Sequence, residues 1–362
     1  MKTLVVKIGS SSLINDEGKI NRAKIIELVN EINLLKNKGV SPIIVTSGAV
    51  AVGSSKLGIK PKTVKMKQAC AAIGQASLMH DYDLICDMYG LKCAQILLNH
   101  DDFDDRKRMK NLENTITSLL ENNVIPIINE NDALAVEEIK LGDNDTLSAL
   151  IASMVNANLL VLISDIDGLY DKNPKIYSNA KLLKVVEKID DEIINMAGGA
   201  TTQVGTGGMS TKIKAAKIAT SSGVDMIIMN NNNLKNLNKV FEEEMGTLFK
   251  ASENKLNSKL KWVSFNSHPK GIIYIDQGAK NAILSRTSLL AKGIIDVKSN
   301  FKANDVISVV CDDLEIARGI SNFSSEEIKM VKGHNSSEIK EILGYDAKNV
   351  VIHANYMVLM EE

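Results

Sequence analysis

Thr3-Leu4-Val5-Val6-Lys7-Ile8-Gly9-Ser10-Ser11-Ser12 is an aliphatic run that stops at a glycine and turns at once into small polar residues. Its apolar positions are successive rather than alternate, which is the pattern of a strand buried on both faces. Working outward, Asn21 stands where a helix cap is expected, before Ile25, Leu28, Ile32 and Leu35 at helical spacing, and Gly39 ends that segment. Pro42 to Thr46 is a second apolar strand, closed by Ser47-Gly48-Ala49. A long helix follows from about Lys65 to Tyr89, with Gly74 as a candidate break, then a strand from Cys93 to Leu98. A helix from Arg106 to Glu121 leads to a strand from Val124 to Ile128. After Asn156 come a strand from Leu159 to Ile163, an irregular excursion from Tyr170 to Ala200, a helix from Thr211 to Ser222 and a strand from Asp225 to Met229. Strand and helix alternate, so the expected fold class is α/β, a mostly parallel sheet sandwiched by helices. In such sheets ligands sit outside the carboxyl ends of the strands, where the loops after Ile8, Thr46 and Ile128 converge.

The alternation stops near Lys250. A polar stretch, rich in Lys, Asn and Ser, runs to His268, and a strand-rich rhythm begins at Gly271-Ile272-Ile273-Tyr274-Ile275. Strands are expected at Gly293 to Val297, Val306 to Cys311, Ile316 to Ile320 and Val350 to Ile352, with helices at Ala279 to Leu284 and Ser324 to Val331. That rhythm suits a small barrel with peripheral helices. The expected division is a domain over 1–250, a linker over 251–268 and a second domain over 269–362. At 362 residues the chain exceeds what one hydrophobic core usually supports.

Bulk properties exclude several classes of function. A net charge of −1 provides no global attraction to nucleic acid or an anionic membrane. No run approaches about 18 apolar residues, and Lys7 interrupts the N-terminal run, so neither a membrane span nor a secretory signal is expected. Cys70, Cys86, Cys93 and Cys311 lack CxxC spacing and read as reduced, buried thiols of a cytoplasmic protein. The five histidines are scattered, which argues against zinc.

Three polar stretches carry the chemistry: Lys7 to Ser12, Ile139-Lys140-Leu141-Gly142-Asp143-Asn144-Asp145-Thr146-Leu147-Ser148, and Thr206-Gly207-Gly208-Met209-Ser210-Thr211-Lys212. Glycines at 9, 48, 207 and 208 let backbone N–H groups approach an anion, so a phosphate site is expected. It is not a P-loop, because Lys212 follows Ser210-Thr211, and no GxGxxG follows the first strand. Leu147 stands where an EF-hand needs an oxygen ligand, so an EF-hand calcium loop is excluded. Lys7 sits among apolar residues, where a charge is costly unless an anion meets it, or unless it snorkels to solvent. Lys212 either points at that anion or shares a solvated helix face with Lys214 and Lys217. Asp143, Asn144 and Asp145 suit a helix cap. Two lysines aimed at one phosphoryl group would repel each other, and Asp145 between them would hold both in position.

Five segments in this order resemble the amino acid kinase family: Val5 to Ser11, Val45 to Ala51, Pro126-Ile127-Ile128-Asn129-Glu130-Asn131-Asp132, Gly142 to Asp145, and Gly205 to Lys212. The region from about Pro269 to Leu343 resembles a PUA domain. The resemblance implies transfer of the γ-phosphoryl group of ATP, with Mg2+, to the side-chain carboxylate of L-glutamate, the first step of proline synthesis. It implies catalytic roles for Lys7, Asp145 and Lys212. It implies an amino-acid pocket of Ser47, Asp132 and Asn144, with Asn129 and Asp143 as further candidates. Nucleotide contacts would come from Lys7, Gly9, Ser10, Ser164, Asp165 and the loop Thr206, Gly207, Gly208, Met209, Ser210, Thr211 and Lys212. No metal ligand is assigned among the protein residues. The resemblance also implies proline as an inhibitor, a homo-oligomer and glutamyl phosphate reductase as a partner. A carboxylate acceptor is ionised at neutral pH, its reference pKa being about 4.3, so this chemistry needs no general base, and the motifs contain no histidine. Siblings acting on N-acetylglutamate, aspartate, carbamate or uridylate would share the phosphate chemistry without this Asn-Glu-Asn-Asp and Gly-Asp-Asn-Asp pair. RNA binding through the PUA domain is disfavoured, because Lys292, Lys298, Lys302, Arg318, Lys329 and Lys332 are interspersed with Asp296, Asp305, Asp312, Asp313, Glu326 and Glu327.

Overall fold

The structure is a computed structural model that describes residues 2–15, 17–99, 101–134, 144–174, 176–198, 208–252, 260, 263 and 269–360. It divides into two compact units, Met1–Lys255 and Leu256–Glu362.

The first unit is built on an eight-stranded sheet. Its elements run β1 (Lys2–Ile8), α1 (Ser10–Leu13), α2 (Arg22–Asn37), β2 (Val40–Val45), α3 (Ala49–Leu57), α4 (Val64–Met88), β3 (Lys92–Leu98), α5 (Asp101–Asp104), α6 (Arg106–Glu121) and β4 (Val124–Glu130). They continue as α7 (Asn144–Met154), β5 (Leu159–Ser164), β6 (Val185–Val186), α8 (Asp191–Met196), α9 (Met209–Ser221), β7 (Asp225–Asn230) and β8 (Thr247–Phe249). The strand order is β3-β4-β2-β1-β5-β7-β8-β6, parallel except for the β7–β8 pair. β1 is thus flanked by β2 on one side and β5 on the other, with Lys7 level with Val45 and Leu162. The aliphatic strand interiors are fully buried, as their continuous apolar runs require.

Asn21 caps α2 as its chemistry dictates, accepting from the Lys24 N–H. Gly74 does not break its helix: α4 runs unbroken from Val64 to Met88. The glycine serves packing instead, since a Cβ there would collide with the Ala49 carbonyl, and one at Gly53 with the Cys70 carbonyl. The backbones of α3 and α4 therefore touch at two points. That contact fixes the start of α3, where Gly48 adopts φ 100°, a conformation that favours glycine. The asparagine run after β7 forms a 3-10 helix, Asn231–Lys239, with the Asn230 side chain accepting from the Asn232 N–H.

In the second unit β9 (Ile272–Ile275), α10 (Gln277–Leu284), β10 (Ile294–Lys298), β11 (Val306–Cys311), β12 (Leu314–Ile320), α11 (Ser325–Val331), α12 (Ile339–Leu343) and β13 (Met357–Leu359) surround a core of their own. The sheet order is β10-β9-β11-β12-β13. Asp312 and Asp313, at φ 50° and 62°, make the two-residue turn between β11 and β12, matching the sheet's twist. Ser324 and Glu327 form a capping box at α11. The expected strand at Val350 to Ile352 is reduced to one bridge, Ile352 with Leu289, and the last strand lies farther on at Met357. The unit's five strands form one mixed sheet, parallel between β9 and β11 and antiparallel at the other pairs. No described helix is long and apolar enough to cross a membrane. All four cysteines are free; Cys93 is half-buried rather than buried.

Candidate active site

The carboxyl ends of β1, β2, β4 and β5 meet above the sheet, and Asp145 stands at the centre. It lies in the first turn of α7, where a carboxylate complements the helix dipole. Its side chain is 1% exposed, yet it is doubly compensated: Lys7 Nζ lies 2.6 Å from Oδ1 and Lys212 Nζ 3.0 Å from Oδ2. The Thr211 hydroxyl lies 3.2 Å from Oδ2 and 2.7 Å from the Gly208 carbonyl. Burial pushes the Asp145 carboxyl up, but the Lys7 and Lys212 ammonium groups outweigh it and hold the carboxyl below its usual range.

Lys7 does not snorkel, and Lys212 does not share a solvated face. On α9 Lys212 is 5% exposed and faces inward with Ala215, Ala216 and Ala219, while Lys214 is exposed and Lys217 is half-buried. Among the described residues no side chain caps the N-terminus of α9 at Gly208, and a helix N-terminus beside Lys212 suits an anion. Gly9 and Ser10 follow Lys7; a Cβ at Gly9 would stand 3.7 Å from Lys7 Nζ, so the glycine keeps the approach to that ammonium open.

On the β2–β4 side, next to Asp145, Asn144 gathers three oxygens. Its Nδ2 lies 2.6 Å from the Thr46 carbonyl, 2.8 Å from Ser47 Oγ and 2.9 Å from Asn129 Oδ1. Asn129 is 1% exposed and donates to Gln75 Oε1 on α4 at 2.8 Å. Asp132 follows β4 by two residues and is half-buried. On the β5–β7 side, the Ser164 hydroxyl donates to Asp165 Oδ1 at 3.0 Å, and Asn230 Nδ2 donates to Asp167 Oδ1 at 2.9 Å. Asp165, Gly208, Met209 and Lys212 line one cleft of about 370 Å³, a size that accommodates a small ligand. Ser210 is exposed in the first turn of α9. Asp143, Thr206 and Gly207 lie outside the described residues. A larger depression, about 570 Å³, between the Gly18 to Arg22 segment and helices α3 and α4 holds none of these residues.

Gln75 and the cleft residues Tyr170, Lys172 and Met196 had no motif to announce them. Gln75 sits mid-helix among small residues, where sequence periodicity marks only which face is inward.

The geometry is thus a buried carboxylate with two ammonium groups, a helix N-terminus on one side and a cluster of amides and a hydroxyl on the other. A sequence model of the Amino acid kinase family matches residues 2–230, and a PUA domain model matches 271–343. The chain belongs to the amino acid kinase family. Among relatives in that family, a glutamate 5-kinase from Caldanaerobacter subterraneus subsp. tengcongensis is 46% identical over 99% of this chain and 98% of its own. One from Methanosarcina mazei is 41% identical over 99% and 96%. A carbamate kinase from Giardia lamblia bound to AMP-PNP shares the fold over 69% of this chain and 99% of its own, with a TM-score of 0.52 at 16% identity. As an amino acid kinase family member the chain is a phosphotransferase that uses ATP, and its second unit carries a PUA domain.

Proposed function

We propose that the protein transfers the γ-phosphoryl group of ATP to the side-chain carboxylate of L-glutamate, forming L-glutamyl 5-phosphate for proline synthesis. The observation that carries the reading is the pairing of Asp145 with both Lys7 and Lys212, one residue from Asn144, which binds Ser47 and Asn129. Relatives of more than 40% identity over almost the whole chain, named glutamate 5-kinase, support the choice of acceptor.

In this reading a carboxylate oxygen of glutamate attacks the γ-phosphorus. The bond from phosphorus to the β,γ-bridging oxygen breaks, and its electron pair leaves with ADP. Lys7 and Lys212 neutralise the phosphoryl oxygens as charge spreads over them, and Asp145 keeps the two ammonium groups aimed. No proton moves, because the nucleophile is already ionised. Ser47, Asn144 and Asn129 hold the amino acid and Asp132 meets its ammonium. The Gly208 end of α9, with Ser164 and Asp165, binds the nucleotide.

Magnesium would supply further neutralisation of the β- and γ-phosphate oxygens. Both oxygens of Asp145 face ammonium groups, and among the described residues no three His, Cys, Asp or Glu side chains converge. Asp145 is thereby committed to the lysines, and oxygen ligands would hold such an ion.

The same reading makes the protein a cytoplasmic homo-oligomer whose product goes to glutamyl phosphate reductase, with proline competing for the glutamate pocket. The test is ADP formation with L-glutamate, N-acetylglutamate and aspartate, each with and without proline. Turnover with glutamate alone, suppressed by proline, is expected; preference for another acceptor would refute the assignment.

A further inference from the structure

Hydrogen-bond chemistry fixes the orientation of every amide in the amino-acid side of the site. The Thr46 carbonyl can only accept, so the Asn144 atom 2.6 Å from it is the amide nitrogen. That nitrogen also meets Asn129, whose facing atom must therefore be the oxygen; the Glu130 backbone N–H, 3.0 Å from the same atom, requires the same. Asn129 then turns its NH2 to Gln75, which must present Oε1, at 2.8 Å. Flipping any one of these amides would set donor against donor or acceptor against acceptor. The consequence falls on the last member. Gln75 Nε2 is a buried donor with no hydrogen-bond partner among the described residues, on a residue only 9% exposed.

A buried NH2 without an acceptor is costly, and native proteins rarely keep one without a use. We propose that Gln75 is a substrate-binding residue whose Nε2 donates to the α-carboxylate of the amino acid. This rests on the glutamate reading above. The relay sets the end of the substrate: Asn144 adjoins Asp145 and the lysine pair, while Gln75 stands beyond both Asn144 and Asn129. The reacting carboxylate belongs at the lysines, so the group that reaches Gln75 is the opposite one. The α4–α3 contact through Gly74 and Gly53 holds this donor rigidly against α3, whose N-cap Gly48 follows Ser47.

The test is Gln75→Met, which keeps the side chain's length and loses the donor. Direct contact predicts a glutamate KM about 10- to 100-fold higher, the value of a hydrogen bond to a charged group, with kcat within about threefold and ATP KM unchanged. The same substitution in an Asn129→Ala background separates contact from relay. A further rise in glutamate KM supports contact, and no further rise means that Gln75 only positions Asn129 and overturns the proposal. If Gln75→Met does not fold, the crystal structure of the native protein with L-glutamate decides: a carboxylate oxygen within 3.2 Å of Nε2 supports the proposal, and a water there overturns it. Failure of the underlying reading looks different, since the native protein would then form no ADP with glutamate.

Discussion

Replacing Asp145 with Asn keeps the shape of the site and removes the one charge that reconciles Lys7 with Lys212. The two ammonium groups lie 2.6 and 3.0 Å from the carboxylate, and their side chains are only 11% and 6% exposed. With an effective dielectric of about 20, each contact is worth roughly 6 kcal/mol of Coulomb attraction, most of it offset by desolvation. Removing one partner of a buried pair costs about 3–5 kcal/mol net, which lowers the midpoint of a domain of this size by about 6–20 °C. The assay is thermal unfolding of both forms, without ligand and with a saturating non-hydrolysable ATP analogue. An anion at the lysines replaces part of the missing charge, so the deficit of Asp145→Asn is expected to shrink with nucleotide, while kcat falls at least about 100-fold. A variant with native stability and native kcat would refute the account of Asp145 as the organiser.

Lys212→Ala is expected to lower kcat far more than it raises glutamate KM; steady-state kinetics showing the reverse would move Lys212 to ground-state binding. Because the folded-state pKa of Asp145 is depressed, its contribution to stability is present above the unfolded value of about 3.9 and is lost as pH falls through the lower folded value. Urea unfolding between pH 6 and 3 is therefore expected to lose less stability in Asp145→Asn than in the native protein. Gly74→Ala gains about 1 kcal/mol of helix propensity but drives a methyl group into the Ala49 carbonyl, and is expected to cost more than about 3 kcal/mol net by denaturant titration; a stabilised variant would contradict the close crossing of α3 and α4.

The parallel sheet was legible because each central strand is an unbroken aliphatic run closed by small polar residues, as in Val5 to Gly9 and Ile43 to Gly48. The inward turn of Lys212 was not legible from its helix alone, since Lys214 and Lys217 flank it; burial by α7 and the charge of Asp145 decide it. β8 carries no signal in the sequence because three residues, Thr247–Phe249, paired between β7 and β6, have no periodicity of their own. A break at Gly74 follows from propensity, which records only the cost of glycine in a helix, while its value lies in the close approach of another helix's backbone. Gln75 was invisible for a related reason. A single polar residue on an inward helix face acquires meaning only through a neighbour 54 positions away.

The central claim is that the acceptor is a carboxylate held against the Lys7–Asp145–Lys212 centre. Trapping with hydroxylamine tests it most directly, because an acyl phosphate yields a hydroxamate and a phosphorylated hydroxyl or amine does not. The account predicts γ-glutamyl hydroxamate formed in proportion to ADP from L-glutamate and ATP, and abolished in Lys212→Ala. ADP formed from glutamate without any hydroxamate would contradict it.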